Sequence, residues 1–370
     1  MPFIDLQAQR RRIEAPVNAA IQKVLAHGGF VMGPEVTALE RRLAEHCGAK
    51  YVLSCSSGTT ALLIPLMAKG VGPGDAVFVP SFTFTATAEV AVLAGATPVF
   101  VDVKRDTFNM DVKSLERAIY TARGLGLHPR VVIPVDLFGQ PADMDEINTL
   151  CAKEGVWVLA DTAQSYGAGY KNKRVGNLAE VSATSFYPSK PLGCYGDGGA
   201  VFTDDADLHQ RMTHIRVHGQ GKDRNENVCI GLTARLDTIQ AAVLLEKMNI
   251  FDAECVERNR IAARYTALLK DVVETPVIRG DRTSVWAQYT IKSKKRGAIV
   301  STLAAEKIPT ALFYPRPIHT QPAYRMFPSV EGGLPVTEEL ALEALSLPMH
   351  AYLSESDQDR IVAAVAKAVG

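Results

Sequence analysis

The 370-residue chain reads as an α/β protein, a mostly parallel central sheet flanked by helices, followed by a smaller α+β C-terminal region. Two observations predict this. Short Val-rich runs bounded by Gly, Pro or Asp alternate with helical stretches through the first two thirds of the chain, as a parallel sheet buried on both faces requires. After about residue 235 the alternation gives way to a long stretch with apolar residues at helical spacing and charges between them. The reading therefore expects a large α/β domain over 1–245 and a small α+β domain over 246–370.

Each element has its own signal. Strands are expected at 51–54, 76–79, 98–101, 131–134 and 156–160, where β-branched residues cluster between turn formers. Helices fill the gaps at 59–69, 85–94, 112–122 and 144–154. Two further strands, 181–185 and 199–203, flank a glycine-rich loop and extend the same sheet. The long helix covers 236–270. Beyond it the pattern predicts strands at 286–291 and 309–314, with helices at 299–305, 336–345 and 357–369. Two domains joined by a long helix place a cleft between them, where cofactor sites often lie.

Composition narrows the function. The chain has 40 basic and 40 acidic residues, a formal net charge of zero. No basic excess exists to neutralise phosphates, which argues against nucleic acid as a partner. The six cysteines form no C-x-x-C pair, and His214 and His218 lack a third ligand, so no metal is expected. No apolar run reaches the ~20 residues of a membrane span, and no signal peptide is apparent. A cytoplasmic protein with reduced thiols is the expectation.

The chemistry centres on Lys190, set among turn formers in Ser185-Phe186-Tyr187-Pro188-Ser189-Lys190-Pro191-Leu192-Gly193 and followed by Gly196-Asp197-Gly198-Gly199. Upstream, Asp161 ends an apolar strand, where open α/β sheets bind their ligands, and Gln164 follows it. A lysine for a Schiff base and an aspartate for a pyridine nitrogen are what pyridoxal phosphate requires. Its phosphate needs N–H donors at a helix start, which Gly58 and Thr59 offer in Ser56-Ser57-Gly58-Thr59-Thr60, with Ser185 as a further donor. Phe84, just past a strand, can stack on a flat ring. Taken singly each has an ordinary structural reading: a solvated lysine, helix caps for Asp161, Gln164 and the Ser/Thr turn, core packing for Phe84. The set together favours chemistry.

Gly58-Thr59-Thr60-Ala61-Leu62, Asp161-Thr162-Ala163-Gln164, the loop from Ser185 to Gly199 and Arg235-Leu236-Asp237-Thr238-Ile239-Gln240-Ala241 resemble the DegT/DnrJ/StrS family of nucleotide-sugar aminotransferases. Gly33-Pro34-Glu35-Val36 and Tyr314-Pro315-Arg316-Pro317-Ile318-His319 are similar too, so the likeness spans nearly the whole chain. The resemblance implies a fold-type I aminotransferase using pyridoxal or pyridoxamine phosphate, and a homodimer with sites at the subunit interface. It implies Lys190 as Schiff-base lysine and proton carrier, Asp161 at the pyridine nitrogen and Gln164 at the phenolic oxygen. Phe84 would lie over the ring, and Gly58, Thr59 and Ser185 would hold the phosphate. Thr233 stands where many relatives have an Asn reaching the partner's phosphate, and Phe313 where relatives often have His. Arg235, Tyr314 and His319 become the substrate contacts.

The lysine loop is most similar to the branch that aminates C3 of UDP-2-acetamido-3-keto sugars, or their uronates, with glutamate giving 2-oxoglutarate. Such amino sugars serve lipopolysaccharide, lipid A or O-antigen synthesis. The alternatives are C4 amination of a dTDP- or UDP-4-keto-6-deoxy sugar, a dehydratase on the same fold, which Lys190 argues against, and a non-catalytic regulatory protein.

Overall fold

A computed structural model describes residues 1–223 and 225–370. Three helices precede the first strand: α1 (Leu6–Arg12), α2 (Glu14–His27) and α3 (Pro34–Cys47). The sequence reading assigns no element there. Asp5 caps α1 by accepting a bond from Ala8 N at 2.8 Å, and Pro34 opens α3, where its missing N–H is not needed.

The sheet region follows the expected alternation. Its elements are β1 (Tyr51–Cys55), α4 (Gly58–Ala68), β2 (Asp75–Pro80), α5 (Ala86–Leu93), β3 (Thr97–Val101), α6 (Val112–Gly124), β4 (His128–Val132), α7 (Met144–Glu154) and β5 (Trp157–Asp161). A short hairpin, β6 (Gly169–Tyr170) and β7 (Lys173–Arg174), leads to β8 (Val181–Ser185), β9 (Gly199–Thr203) and α8 (Ala206–Arg216). Seven strands lie in the order β1-β9-β8-β5-β4-β2-β3. Only β9 opposes its neighbours, pairing antiparallel with both β1 and β8; the remaining pairs are parallel. Strand β4 starts earlier than the apolar run at 131–134 suggests, because His128 N already bonds Gly74 O at 2.9 Å.

The last third is built on α9 (Thr238–Leu269). Then come β10 (Tyr289–Lys292), α10 (Arg296–Ala305), α11 (Pro335–Glu343), β11 (Ala344–Leu347) and α12 (Glu355–Val369). Two expectations change here. The stretch 309–314 is not a strand; it touches the sheet only at the bridge Ala311↔Ser346. The partner of β10 is instead β11, paired antiparallel from Tyr289↔Leu347 to Lys292↔Ala344. Residues 344 and 345 continue a helical pattern in sequence, but pairing with β10 satisfies their backbone and overrides it.

One core fills the space between the sheet and α4 to α8, including Phe78, Phe100, Ile119 and Val132, all fully buried. A second lies on the other face, where α3 and α9 cover Tyr166, Phe186, Cys194 and Phe202. Tyr166 and Phe202 stack there at 5.5 Å between centroids. The lysine loop thus rests on packed aromatic rings, and burying a side chain such as Phe186 contributes about 1.5–3 kcal/mol. A third core joins the C-terminal part of α9 to α10, α12, β10 and β11. Arg216 ties three elements together: its Nη1 donates to Glu40 Oε1 of α3 at 2.6 Å and to Ser54 O of β1 at 3.1 Å.

Candidate active site

The carboxyl ends of β2, β5 and β8 open onto a cavity of about 540 Å³ whose wall includes Gly58, Thr59, Phe84, Asp161, Gln164, Ser185, Lys190 and Tyr314. Eight residues singled out from sequence thus meet in one place. Thr233, Arg235 and His319 do not line it. Thr233 is exposed and its hydroxyl lies 2.5 Å from His218 Nε2. Arg235 is half-buried just before α9. His319 has both ring nitrogens engaged, Nδ1 with Ser81 Oγ at 2.8 Å and Nε2 with Glu338 Oε1 at 3.2 Å.

The entrance of α4 forms a donor cradle. Ser57 Oγ accepts from Thr60 N at 3.1 Å, and Thr60 Oγ1 accepts from Ser57 N at 2.9 Å. This reciprocal cap satisfies the flanking donors and leaves the first-turn N–H groups of Gly58 and Thr59 for an anion. Gly58 is required: a Cβ there would stand 2.6 Å from Ser185 Cβ. Gly199, the register partner of Ser185, is equally constrained, since its Cβ would meet Ser57 O at 2.4 Å. The two glycines let helix start, Ser185 and β9 converge on one spot. That convergence fits a phosphate.

Asp161 sits at the end of β5, buried, with Oδ1 accepting from Ala163 N at 3.1 Å and Oδ2 from Thr87 Oγ1 at 3.0 Å. Burial raises its pKa, opposed by the Ala163 N–H, the nearby Lys190 charge and the Thr87 hydroxyl. Burial also lowers the pKa of Lys190, and Asp161 opposes that shift. Burial thus shifts each group towards its uncharged form, and the charge of the other opposes the shift. Among the described residues, Lys190 Nζ has no hydrogen-bond partner, and it is free to reach into the cavity.

Gln164 is oriented by its surroundings. The backbone N–H of Phe138 can only donate, and it lies 2.8 Å from Gln164 Oε1. The amide nitrogen must then face the other way, where it donates to Tyr314 OH at 3.4 Å. Gln164 consequently presents N–H to the cavity. Burial raises the pKa of Tyr314 and keeps its hydroxyl protonated. Phe84, 55% exposed, stands in the cavity lining.

Three contributors escape the sequence reading. Thr87, in the first turn of α5, braces Asp161; the only hint is a hydroxyl-rich run past the end of β2. Asp136 is buried beside Asp161, with Oδ1 accepting from Ala142 N at 2.8 Å and Oδ2 from Ser165 Oγ at 2.7 Å. Its signal is visible in retrospect, since it follows β4 much as Asp161 closes β5. Gln288, just before β10, also lines the cavity and has no local signature.

The arrangement suits a phosphorylated pyridine whose carbonyl reacts with an amine: donors for the phosphate at one end, a carboxylate for the ring nitrogen, and an amine at the centre. Residues 11–366 match the model of the DegT/DnrJ/EryC1/StrS aminotransferase family. The chain is 48% identical to a UDP-2-acetamido-2-deoxy-3-oxo-D-glucuronate aminotransferase of Pseudomonas aeruginosa, over 98% of this chain and 99% of that one. A DegT/DnrJ/EryC1/StrS aminotransferase structure from Brucella abortus superposes with a TM-score of 0.99 at 51% identity, covering all of both chains. A Bacillus subtilis protein solved with bound cofactor PMP superposes with a TM-score of 0.91 at 27% identity, over 100% of this chain and 85% of that one. Family match, whole-length likeness and a cavity built around Lys190 and Asp161 lead to one conclusion: the chain belongs to the DegT/DnrJ/EryC1/StrS aminotransferase family.

Proposed function

We propose that this enzyme transfers the amino group of glutamate to C3 of a UDP-2-acetamido-2-deoxy-3-keto-hexose or its uronate, using pyridoxal phosphate. The observation that carries the reading is that Lys190 and Asp161 line one cavity together with the capped start of α4. Bound there, pyridoxal phosphate supplies the electron sink through which an amino group passes between an amino acid and a ketone. Gly58 and Thr59 N–H and Ser185 Oγ bind the phosphate. Asp161, braced by Thr87, holds a proton on the ring nitrogen. Gln164 N–H donates to the phenolic oxygen, and Phe84 covers the ring. Lys190 Nζ carries the proton between the reacting carbons, a task its depressed pKa suits because only the neutral amine accepts one.

C3 as the site of amination is supported by the lysine loop and by the name of the Pseudomonas relative. A homodimer is supported by the exposed apolar residues Phe30, Val31, Val228 and Ile230, and by Thr233 and Arg235 standing off the cavity wall of their own chain. Synthesis of cell-surface glycans in the cytoplasm completes the reading. No helix of the described residues is long and apolar enough to cross a membrane.

The test presents the enzyme and glutamate in turn with UDP-2-acetamido-3-keto-glucose, its uronate and a 4-keto-6-deoxy sugar nucleotide. 2-Oxoglutarate release and the mass of the sugar product are followed. Release with a 3-keto sugar is expected; release with the 4-keto sugar alone overturns the C3 assignment. Lys190→Ala is expected to keep its far-ultraviolet dichroism and lose turnover by roughly 10²-fold or more.

A further inference from the structure

Lys247 lies on α9 among the buried residues Val243, Leu244 and Met248, and is itself 2% exposed. Among the described residues its Nζ forms no hydrogen bond and no ion pair. Its neighbour is the ring of Tyr195, whose centroid lies 4.5 Å from Nζ. Burial lowers the Lys247 pKa to about 8, opposed by Glu254 and Cys194, so the ammonium keeps its charge at neutral pH. Taking a charge out of water is costly, and the face of an aromatic ring offsets part of that cost for a desolvated ammonium. A methionine would fill the same length without any such cost.

Tyr195 belongs to the loop that carries Lys190, and that loop is closed on itself. Phe186 N donates to Gly198 O at 2.7 Å across its neck, and Cys194 N donates to Phe186 O at 2.7 Å. Lys190 N donates to Tyr187 O at 2.8 Å. A Cβ on Gly193 would stand 2.5 Å from Pro188 O and 2.7 Å from Tyr187 O, so the two sides of the loop touch without slack. Densely packed groups transmit strain, and a displacement at Tyr195 is passed on to the turn at Lys190.

Helix α9 grips the loop at two points. Gln240 Oε1 accepts from Tyr195 N at 2.8 Å, and Lys247 sits against the ring of the same residue. The two are seven residues apart, close to two turns of helix, and so stand on one face of α9. Gln240 fixes the backbone of Tyr195, and Lys247 fixes its side chain. We propose that Lys247 is a positioning residue: through the Tyr195 ring it holds the closed loop on α9 and keeps Lys190 where it reacts. This rests on Lys190 being the reacting amine, as proposed above.

The experiment compares wild type with Lys247→Met, Lys247→Arg, Tyr195→Leu and the double variant Lys247→Met/Tyr195→Leu. Amide hydrogen exchange over residues 186–199 and the rate of coupling to added pyridoxal phosphate, followed by absorbance, are read on the cofactor-free protein. The kcat and both KM values are read on the loaded enzyme. Lys247→Met is expected to speed loop exchange, slow coupling and lower kcat, each about tenfold, the equivalent of ~1.4 kcal/mol. Both KM values stay within about twofold of wild type, on the same scale. Lys247→Arg keeps a cation over the ring and restores most of the loss. Tyr195→Leu repeats the effect of Lys247→Met, and the double variant is no worse than either single one, the mark of one shared contact. Unchanged exchange and coupling in Lys247→Met, a loss that Lys247→Arg shares in full, or additive losses in the double variant overturns the proposal. Lower thermal stability with unchanged coupling and kcat assigns Lys247 to packing, and overturns it too. Where Lys247→Met does not fold, Tyr195→Leu decides, and wild-type exchange and coupling in that variant overturn the proposal. Coupling at the wild-type rate in Lys190→Ala instead refutes the role of Lys190, and the role of Lys247 falls with it.

Discussion

Ser185 and Gly58 sit so close that the space between them is already at its limit, which makes Gly58 the residue where the cavity is most sensitive. Gly58→Ala places a methyl 2.6 Å from Ser185 Cβ. Overpacking of this kind costs about 1–3 kcal/mol, and here the helix start must retreat from the ligand it would bind. Cofactor affinity is expected to fall roughly tenfold or more, read by fluorescence titration, while the far-ultraviolet dichroism stays unchanged. Ser185→Ala, which removes one hydroxyl and no space, is expected to weaken binding less. Retained affinity in Gly58→Ala would show that the phosphate is held elsewhere. At this scale the sequence was readable where a residue type has few ordinary uses. A lysine in a glycine-rich loop and an aspartate closing a strand announced themselves. Gln288 did not, because a glutamine beside a strand looks like any solvent-facing polar residue, and its burial comes from the packing of a distant loop.

The loop after β4 is the element that joins these residues, and Asp136 is its anchor. Burial pushes the Asp136 pKa up to about 7, the Asp161 charge adds to the rise, and the Ala142 N–H, the Ser165 hydroxyl and Arg282 oppose it. The native state then binds a proton more tightly than the unfolded chain. Its stabilising contribution is full below the ordinary value of 3.8 and is lost as pH rises to about 7. Asp161, also raised, adds to the same slope. Asp136→Asn is expected to flatten the fall in thermal stability across this window, measured as Tm against pH. An identical profile in both proteins would show Asp136 ionised throughout. Among whole elements, the Val-rich strands and the helices between them were legible because their apolar periods differ. Helices α1 to α3 and α8 were not assigned from sequence; α8 sits in a strongly charged stretch. Strand β11 was misread as the end of a helix, since only β10, more than fifty residues earlier, tells it to be extended.

At the scale of the whole molecule, the charge of the proposed ligands exceeds the countercharge that the described cavity lining supplies. The nucleoside diphosphate and cofactor phosphate of the proposed reaction are both anionic, yet among the described residues lining the cavity Lys190 is the one cation. Arg235 and Thr233 lie nearby in sequence to Val228 and Ile230, the latter 85% exposed. The second copy proposed above, if it covers that surface, would account for both features. Ile230→Asp is expected to shift a dimer towards monomer in sedimentation and to lower turnover in parallel. A monomeric wild type with full activity would remove the second copy from the site.

The junction of Gly58, Ser185 and Gly199 has a consequence for descent. A side chain at Gly58 would meet Ser185, and one at Gly199 would meet Ser57 O and Gly58 N, so an enlarging substitution at either glycine is penalised before a compensating change can arrive. That corner is expected to drift slowly among sister lineages. Gln288, Phe313 and Tyr314 stand on a wall supplied by the last third of the chain, away from that three-way contact. Exchange at Gln288 or Phe313 is expected to be tolerated one residue at a time, whereas Tyr314 is tied to Gln164 by its hydroxyl.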